Sequence, residues 1–135
     1  MIRAKTISPV ELLQAHLETI ERLNPKINAI CTLAADSAMA AAKRAERAVL
    51  AGEAIGLLHG LPIGIKDVTP TAGIRITFGS PLHADHLPTE DAAVVARIKQ
   101  AGAIIIGKTN TPEFAAGKRY LRQRSGFATK SALFF

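Results

Sequence analysis

The sequence predicts an α/β fold in which short buried strands alternate with amphipathic helices. Three observations lead there. A helix-start signal at Ser8-Pro9-Val10-Glu11 opens a run of apolar residues at helical spacing. An Ala-rich stretch with charges on its later turns follows, and the apolar runs Pro62–Lys66 and Ala103–Ile106 are then separated by a further helical pattern.

The elements can be justified in order. Ser8 is suited to cap, Pro9 to the first helical position, and Glu11 completes a capping box. Val10, Leu13, Leu17 and Ile20 recur on one face, and Asn24-Pro25 is expected to end the helix. Residues 27–33 read as a short strand or an extended link. Residues 34–51 read as a second helix closed by Gly52.

From Gly56 the texture changes to apolar residues mixed with Gly60, Gly64 and Pro62. Pro62–Lys66 is expected to be a buried strand whose glycines permit close backbone approach. Residues 68–88 read as loop, with a candidate strand over residues 74–78. Glu90 and Asp91 are expected to open a third helix, where acids complement the dipole. Val94, Val95 and Ile98 are assigned to its apolar face and Gly102 to its end. Ala103–Ile106 has the unbroken apolar character of a parallel strand covered on both faces. Thr111-Pro112-Glu113 reads as the cap of another helix.

Composition narrows the function classes. Apolar residues make up 48% of the 135, enough for one small domain with a core. No run approaches the roughly 18 apolar residues of a membrane span, and no signal-peptide pattern follows Arg3 and Lys5, so a cytoplasmic protein without membrane attachment is expected. Cys31 is the single cysteine, which excludes an internal disulfide and a cysteine-built zinc site. The net charge is +6, and residues 118–135 carry Lys118, Arg119, Arg122, Arg124 and Lys130 without an acid. Residues 1–117 are close to neutral, so a nucleic-acid partner is not expected. The chain divides into a main body, 1–117, and a basic tail, 118–135. The tail is expected to be disordered or the product of a frameshift.

Lys66 is the residue that points to chemistry. It follows Ile63-Gly64-Ile65, and an ammonium emerging from an apolar strand can be desolvated into a base near neutral pH. Its plainer reading is a strand-end lysine paired with Asp67 or reaching solvent.

The segment Gly60-Leu61-Pro62-Ile63-Gly64-Ile65-Lys66-Asp67 resembles the lysine segment of amidase signature enzymes. Residues Gly102 to Asn110, followed by Pro112-Glu113-Phe114, resemble the strand and turn that come next in that family. Asp91-Ala92-Ala93-Val94-Val95, Ser8-Pro9-Val10-Glu11-Leu12 and Leu23-Asn24-Pro25-Lys26-Ile27-Asn28-Ala29 fit as well. The resemblance covers about residues 7–117 and implies the N-terminal part of the amidase signature fold, a mixed sheet flanked by helices, incomplete here.

It further implies hydrolysis of a carboxamide C–N bond by a serine, a second serine in a cis peptide and a neutral lysine, with Lys66 as that lysine. Both serines belong downstream of the Thr109–Phe114 block, where this chain has Lys118-Arg119-Tyr120-Leu121-Arg122. Ser125 and Ser131 lack the Gly/Ser-rich context and receive no role. The expectation is a chain inactive by itself, whose full-length relatives take a small amide substrate or act as amidotransferase A-type subunits with a partner. The rival class is a non-catalytic α/β interaction module, and self-association through an exposed sheet edge is expected.

Two other patterns are discounted. Gly102-Ala103-Ile104-Ile105-Ile106-Gly107-Lys108-Thr109 satisfies the P-loop pattern literally, but Ala-Ile-Ile-Ile belongs in a strand and leaves no phosphate cradle. His83-Ala84-Asp85-His86 with Glu90 lacks a regularly spaced third ligand, so a solvated loop is expected and no metal or cofactor is assigned. Thr109, Asn110 and Glu113 are expected to be hydrogen-bonding turn and cap residues.

Overall fold

A computed structural model describes residues 1–116. The expectations for the basic tail, Ser125 and Ser131 lie outside the described residues.

Helix α1 spans Pro9–Ile27. Its start follows the capping-box expectation: Ser8 Oγ accepts from the Glu11 N–H at 3.0 Å, and Glu11 Oε2 accepts from the Ser8 N–H at 2.8 Å. Its end does not follow expectation, because the helix runs through Pro25 for two more residues. Proline removes one intrahelical donor, and the helix tolerates this within its last turn. Asn28 then closes it in the left-handed conformation, φ 51°, with its N–H on Asn24 O at 2.7 Å. The Asn24 side chain spans the turn by donating to Ile30 O and accepting from Ile30 N–H.

Strand β1 (Ile30–Leu33) and helix α2 (Ala35–Ala51) follow, with Gly52 as the left-handed cap at φ 73°. Strand β2 is Pro62–Lys66, helix α3 is Ala93–Gln100 and strand β3 is Ile104–Thr109. The order β1-β3-β2 makes a mixed sheet: β2 is parallel to β3 and β1 antiparallel.

Both faces of the sheet are packed. Ile104 and Ile106 point into a cluster with Leu13, Ala38, Ala42 and Ala45 from α1 and α2. Ile105 points the other way, onto Ile65 and Val95 of α3. Strand alternation distributes the apolar run to two layers, as expected for a strand covered on both sides. Among the described residues, β1 and β2 are the edge strands.

Several local expectations are corrected. Residues 74–78 form no strand; Ile76 N–H reaches His86 O at 3.0 Å and Gly73 N–H reaches Pro88 O at 3.0 Å, single bonds that build no ladder. Helix α3 begins at Ala93, after Asp91, so Asp91 serves a tertiary role and not the helix dipole. Val95 is fully buried and Ile98 partly so, whereas Val94 is 54% exposed, because the helical period carries it off the packed face. Thr111-Pro112-Glu113 opens only a single 3-10 turn, Glu113–Ala115, with Pro112 at its start.

Candidate functional site

Lys66 stands at the C-terminal end of β2, where all three strands converge. It is level with Thr109 of β3, and Ile65 is level with Lys108. On the other side Thr109 is level with Ile30 of β1. The ladder shifts register between Ile63 and Gly64, which brings Gly64 opposite Gly107. Both glycines are needed for that approach. A Cβ on Gly64 would lie 2.8 Å from Thr109 Cγ2, and one on Gly107 (φ 152°) would lie 2.2 Å from Thr32 O.

The Lys66 side chain is exposed, and among the described residues it makes no hydrogen bond or ion pair. Among the described residues, therefore, nothing desolvates Lys66, and its side chain reaches solvent. The reason is alternation: Ile65 and Asp67, 7% and 1% exposed, take the buried side and leave Lys66 pointing outward.

Beneath Lys66 lies a buried polar cluster. Asp67 accepts the Thr77 backbone N–H at 3.2 Å and the Thr77 hydroxyl at 2.5 Å. The Asp67 N–H reaches back to Thr109 O at 3.0 Å. Lys108 is fully buried, and its ammonium donates to the Thr69 carbonyl and, at 2.9 Å, to the Thr71 hydroxyl. Burial pushes the Lys108 ammonium below its ordinary range, while the nearby Asp67 carboxylate pulls in the opposite direction. On β1, burial and then the Asp67 charge push the Cys31 thiol up to about 12. Its Sγ lies 3.4 Å from Lys108 O.

The segment after Lys66 is tied down on two sides. The Thr69 N–H donates to Lys66 O at 3.0 Å, closing a turn directly behind the lysine. The Ala92 N–H donates to Pro70 O, and the Ala72 N–H donates to Asp91 Oδ1. Lys99 Nζ lies 2.8 Å from both Asp91 oxygens. Burial alone would raise the Asp91 carboxyl, but the Lys99 and Ala72 hydrogen bonds outweigh it and hold the group below the usual carboxylate range.

Of the residues expected to hydrogen-bond in the turn after β3, Asn110 and Glu113 do so, whereas Thr109 is the last residue of the strand. Asn110 Nδ2 donates to Asn28 O and its N–H to Ala29 O, which fixes the strand end to the α1 cap. Glu113 accepts from the buried Ser80 hydroxyl at 2.6 Å. Thr109 contributes its methyl group against Gly64. His83 and His86 pack around Phe78, with ring centroids 5.0 and 6.0 Å from it, and Phe114 joins them.

Sequence reasoning singled out Lys66 but missed Lys108, Asp67, Thr71 and Thr77 as one cluster. The available signal was Lys108 itself, a charge placed two residues after an unbroken apolar run. The expected strand stopped at Ile106, whereas β3 runs on to Thr109 and carries Lys108 inside it, facing protein.

This mixed sheet with flanking helices and a strand-end lysine is the N-terminal part of an amidase signature fold. A peptide amidase from Stenotrophomonas maltophilia superposes with a TM-score of 0.79 at 32% identity, over 85% of this chain and 24% of that one. A bacterial aryl acylamidase of the amidase signature family does so with a TM-score of 0.79 at 27% identity, over 84% and 24%. The chain belongs to the Amidase family, whose profile matches residues 11–129 and so runs past Lys118 into the basic segment. Among curated relatives it is 42% identical over 123 residues to the A-type subunit of the glutamyl-tRNA(Gln) amidotransferase of Heliobacterium modesticaldum, and 44% identical over 113 residues to that of Acaryochloris marina. It aligns over 91% and 84% of its own length in these cases, and spans 25% and 23% of theirs.

Proposed function

We propose that Lys66 is the proton-accepting lysine of an amide C–N hydrolase site. The observation that supports this best is its position: the residue of the lysine segment stands outward at the end of the parallel β2–β3 pair, in front of a turn held by buried groups. A carbonyl carbon attacked by a serine passes its excess negative charge to oxygen, and the serine proton must leave in the same step. A lysine can take that proton only when neutral, which requires a covered, water-poor setting. Among the described residues nothing covers Lys66, so the covering surface and the nucleophile have to come from elsewhere. The 135 residues contain no Gly-Gly-Ser-Ser stretch, and by themselves they are inactive on amides in this reading.

The test is direct. The purified 135-residue chain is assayed for ammonia release from glutamine and from a simple aryl amide. No turnover above a buffer control is expected, and turnover abolished by Lys66→Ala would overturn the inactivity while supporting the lysine's role.

Within this class, an amidotransferase A-type role is favoured over a plain amidase. The curated relatives at 42% and 44% identity are A-type amidotransferase subunits, while the two amidase structures stand at 32% and 27%. Glutamine would then be the amide, and another protein of the assembly would receive the ammonia. Self-association through the β1 or β2 edge is proposed on the same geometry, since among the described residues each of these strands has a strand neighbour on one side only. Sedimentation of the chain at several concentrations checks it.

A further inference from the structure

We propose that Lys108 is a positioning residue for Lys66: its buried ammonium clamps the Lys66–Thr71 turn to the end of β3. The inference rests on the reading of Lys66 given above, and it concerns a residue to which that reading assigns no role.

Four observations converge. Lys108 is fully buried, and so is Thr71, whose hydroxyl accepts from its ammonium at 2.9 Å. The ammonium's other acceptor is the Thr69 carbonyl, and Thr69 N–H in turn donates to Lys66 O. Lys108 is paired in register with Ile65, the residue immediately before Lys66. Asp67, the residue immediately after it, supplies the compensating carboxylate and is itself held by Thr77. Residues 65, 67, 69 and 71 are thus all tied to one network, which Lys66 joins through its backbone carbonyl while its side chain stays outside.

Stability alone is a poor reason for this arrangement. A buried charge carries a desolvation cost, and a buried pair such as Lys108 and Asp67 replaced together by apolar side chains is commonly neutral or better for folding. A methionine could fill the space but could not hold the two oxygens of Thr69 and Thr71. Immobilising the backbone on either side of a catalytic group is the service such a clamp provides. The charged and titratable groups around Lys108 are Asp67 from the end of β2, Cys31 from β1, and Asp91 and Lys99 from the α3 region.

The experiment compares the whole 135-residue chain with Lys108→Met, Thr71→Val and Thr71→Ser, by residue-resolved amide hydrogen exchange and thermal unfolding. Lys108→Met leaves the buried Asp67 without its counter-charge, so the thermal midpoint falls; beyond that global loss, the Thr69 amide is expected to exchange about tenfold faster relative to the β3 amides. Thr71→Val should also accelerate Thr69 exchange, and Thr71→Ser, which keeps the acceptor, should restore the parent rate. Unchanged Thr69 exchange overturns the proposal. So does a loss of protection that is equal at Thr69 and in the β3 amides, which marks Lys108 as structural only. If Lys108→Met does not fold, the Val/Ser pair at Thr71 decides between the same outcomes. The readout involves no turnover, so a failed amidase assay leaves it standing, and a failed clamp leaves the Lys66 assignment standing.

Discussion

Asp67 and Thr77 are joined through both the backbone N–H and the hydroxyl of the threonine, 10 residues apart in sequence and both buried. This pair anchors the loop after β2 beneath Lys66 and also supplies the counter-charge for Lys108.

Replacing Asp67 by Ala would leave two Thr77 donors unpaired and the Lys108 ammonium without its carboxylate. Breaking a buried, hydrogen-bonded charge in this way costs about 3 kcal/mol. A denaturant midpoint lowered accordingly is expected, and an unchanged midpoint would show that the cluster contributes little.

Lys66→Ala should behave in the opposite way. The side chain is exposed and makes no contact that holds the fold, so stability should stay within about 0.5 kcal/mol of the parent, as read by thermal unfolding. The contrast between positions 66 and 67 separates chemistry from architecture with two adjacent substitutions.

The close strand approach predicts sensitivity at Gly107. Its φ of 152° and the 2.2 Å that would separate an added Cβ from Thr32 O leave no room for alanine without moving β1. Gly107→Ala is expected to destabilise by about 2–4 kcal/mol. Gly64→Ala, whose Cβ meets side-chain methyls, Thr109 Cγ2 at 2.8 Å and Ile30 Cδ1 at 4.0 Å, should cost less. Equal tolerance at both positions, read by chemical denaturation, would contradict the register described for β1, β2 and β3.

Cys31 gives a pH prediction. Its thiol is raised from 9.0 to about 12 in the folded chain, with burial as the leading cause. Above about pH 9 the unfolded chain ionises this thiol and the folded chain does not, so the folded state binds more protons and stability falls as pH rises towards 12. The slope contributed is on the order of 1 kcal/mol per pH unit. Lys108, shifted downward, acts with the opposite sign over the range below its ordinary value. The comparison is therefore parent against Cys31→Ala: the parent should lose stability relative to the variant between about pH 9 and 11. Iodoacetamide should leave Cys31 unmodified in the folded chain at about pH 8.

The capping box makes the smallest prediction. Ser8→Ala removes the acceptor of the Glu11 N–H, and about 1 kcal/mol of stability should go with it. Thermal unfolding of the variant is sufficient to measure it.

Much of this was legible before any coordinates. Ser8, Pro9 and Glu11 announced the start of α1 because capping is a contact between residues three apart. Ile104 to Ile106 announced a strand covered on both faces because side-chain alternation needs no knowledge of the rest of the chain. Lys66 stood out from its motif and its apolar neighbours. Pro25 misled, since a proline near a helix end can be absorbed by a later cap, here Asn28. Asp91 misled because its partners, Ala72 N–H and Lys99, are set by folding and not by its distance from the helix start.

What the sequence determined by itself was therefore the α/β class, the order of its main helices and strands, and the lysine on which the chemistry is proposed to rest. Tertiary structure alone decided that Lys66 faces outward while Lys108 is the lysine taken into the core. Both follow apolar residues, so local pattern cannot distinguish them. The difference arises because Thr69, Thr71 and Asp67, 37 to 41 residues away in the chain, place two oxygen acceptors and a carboxylate around Lys108. A charge can be buried only where such partners meet it, and where they meet is a property of the assembled sheet.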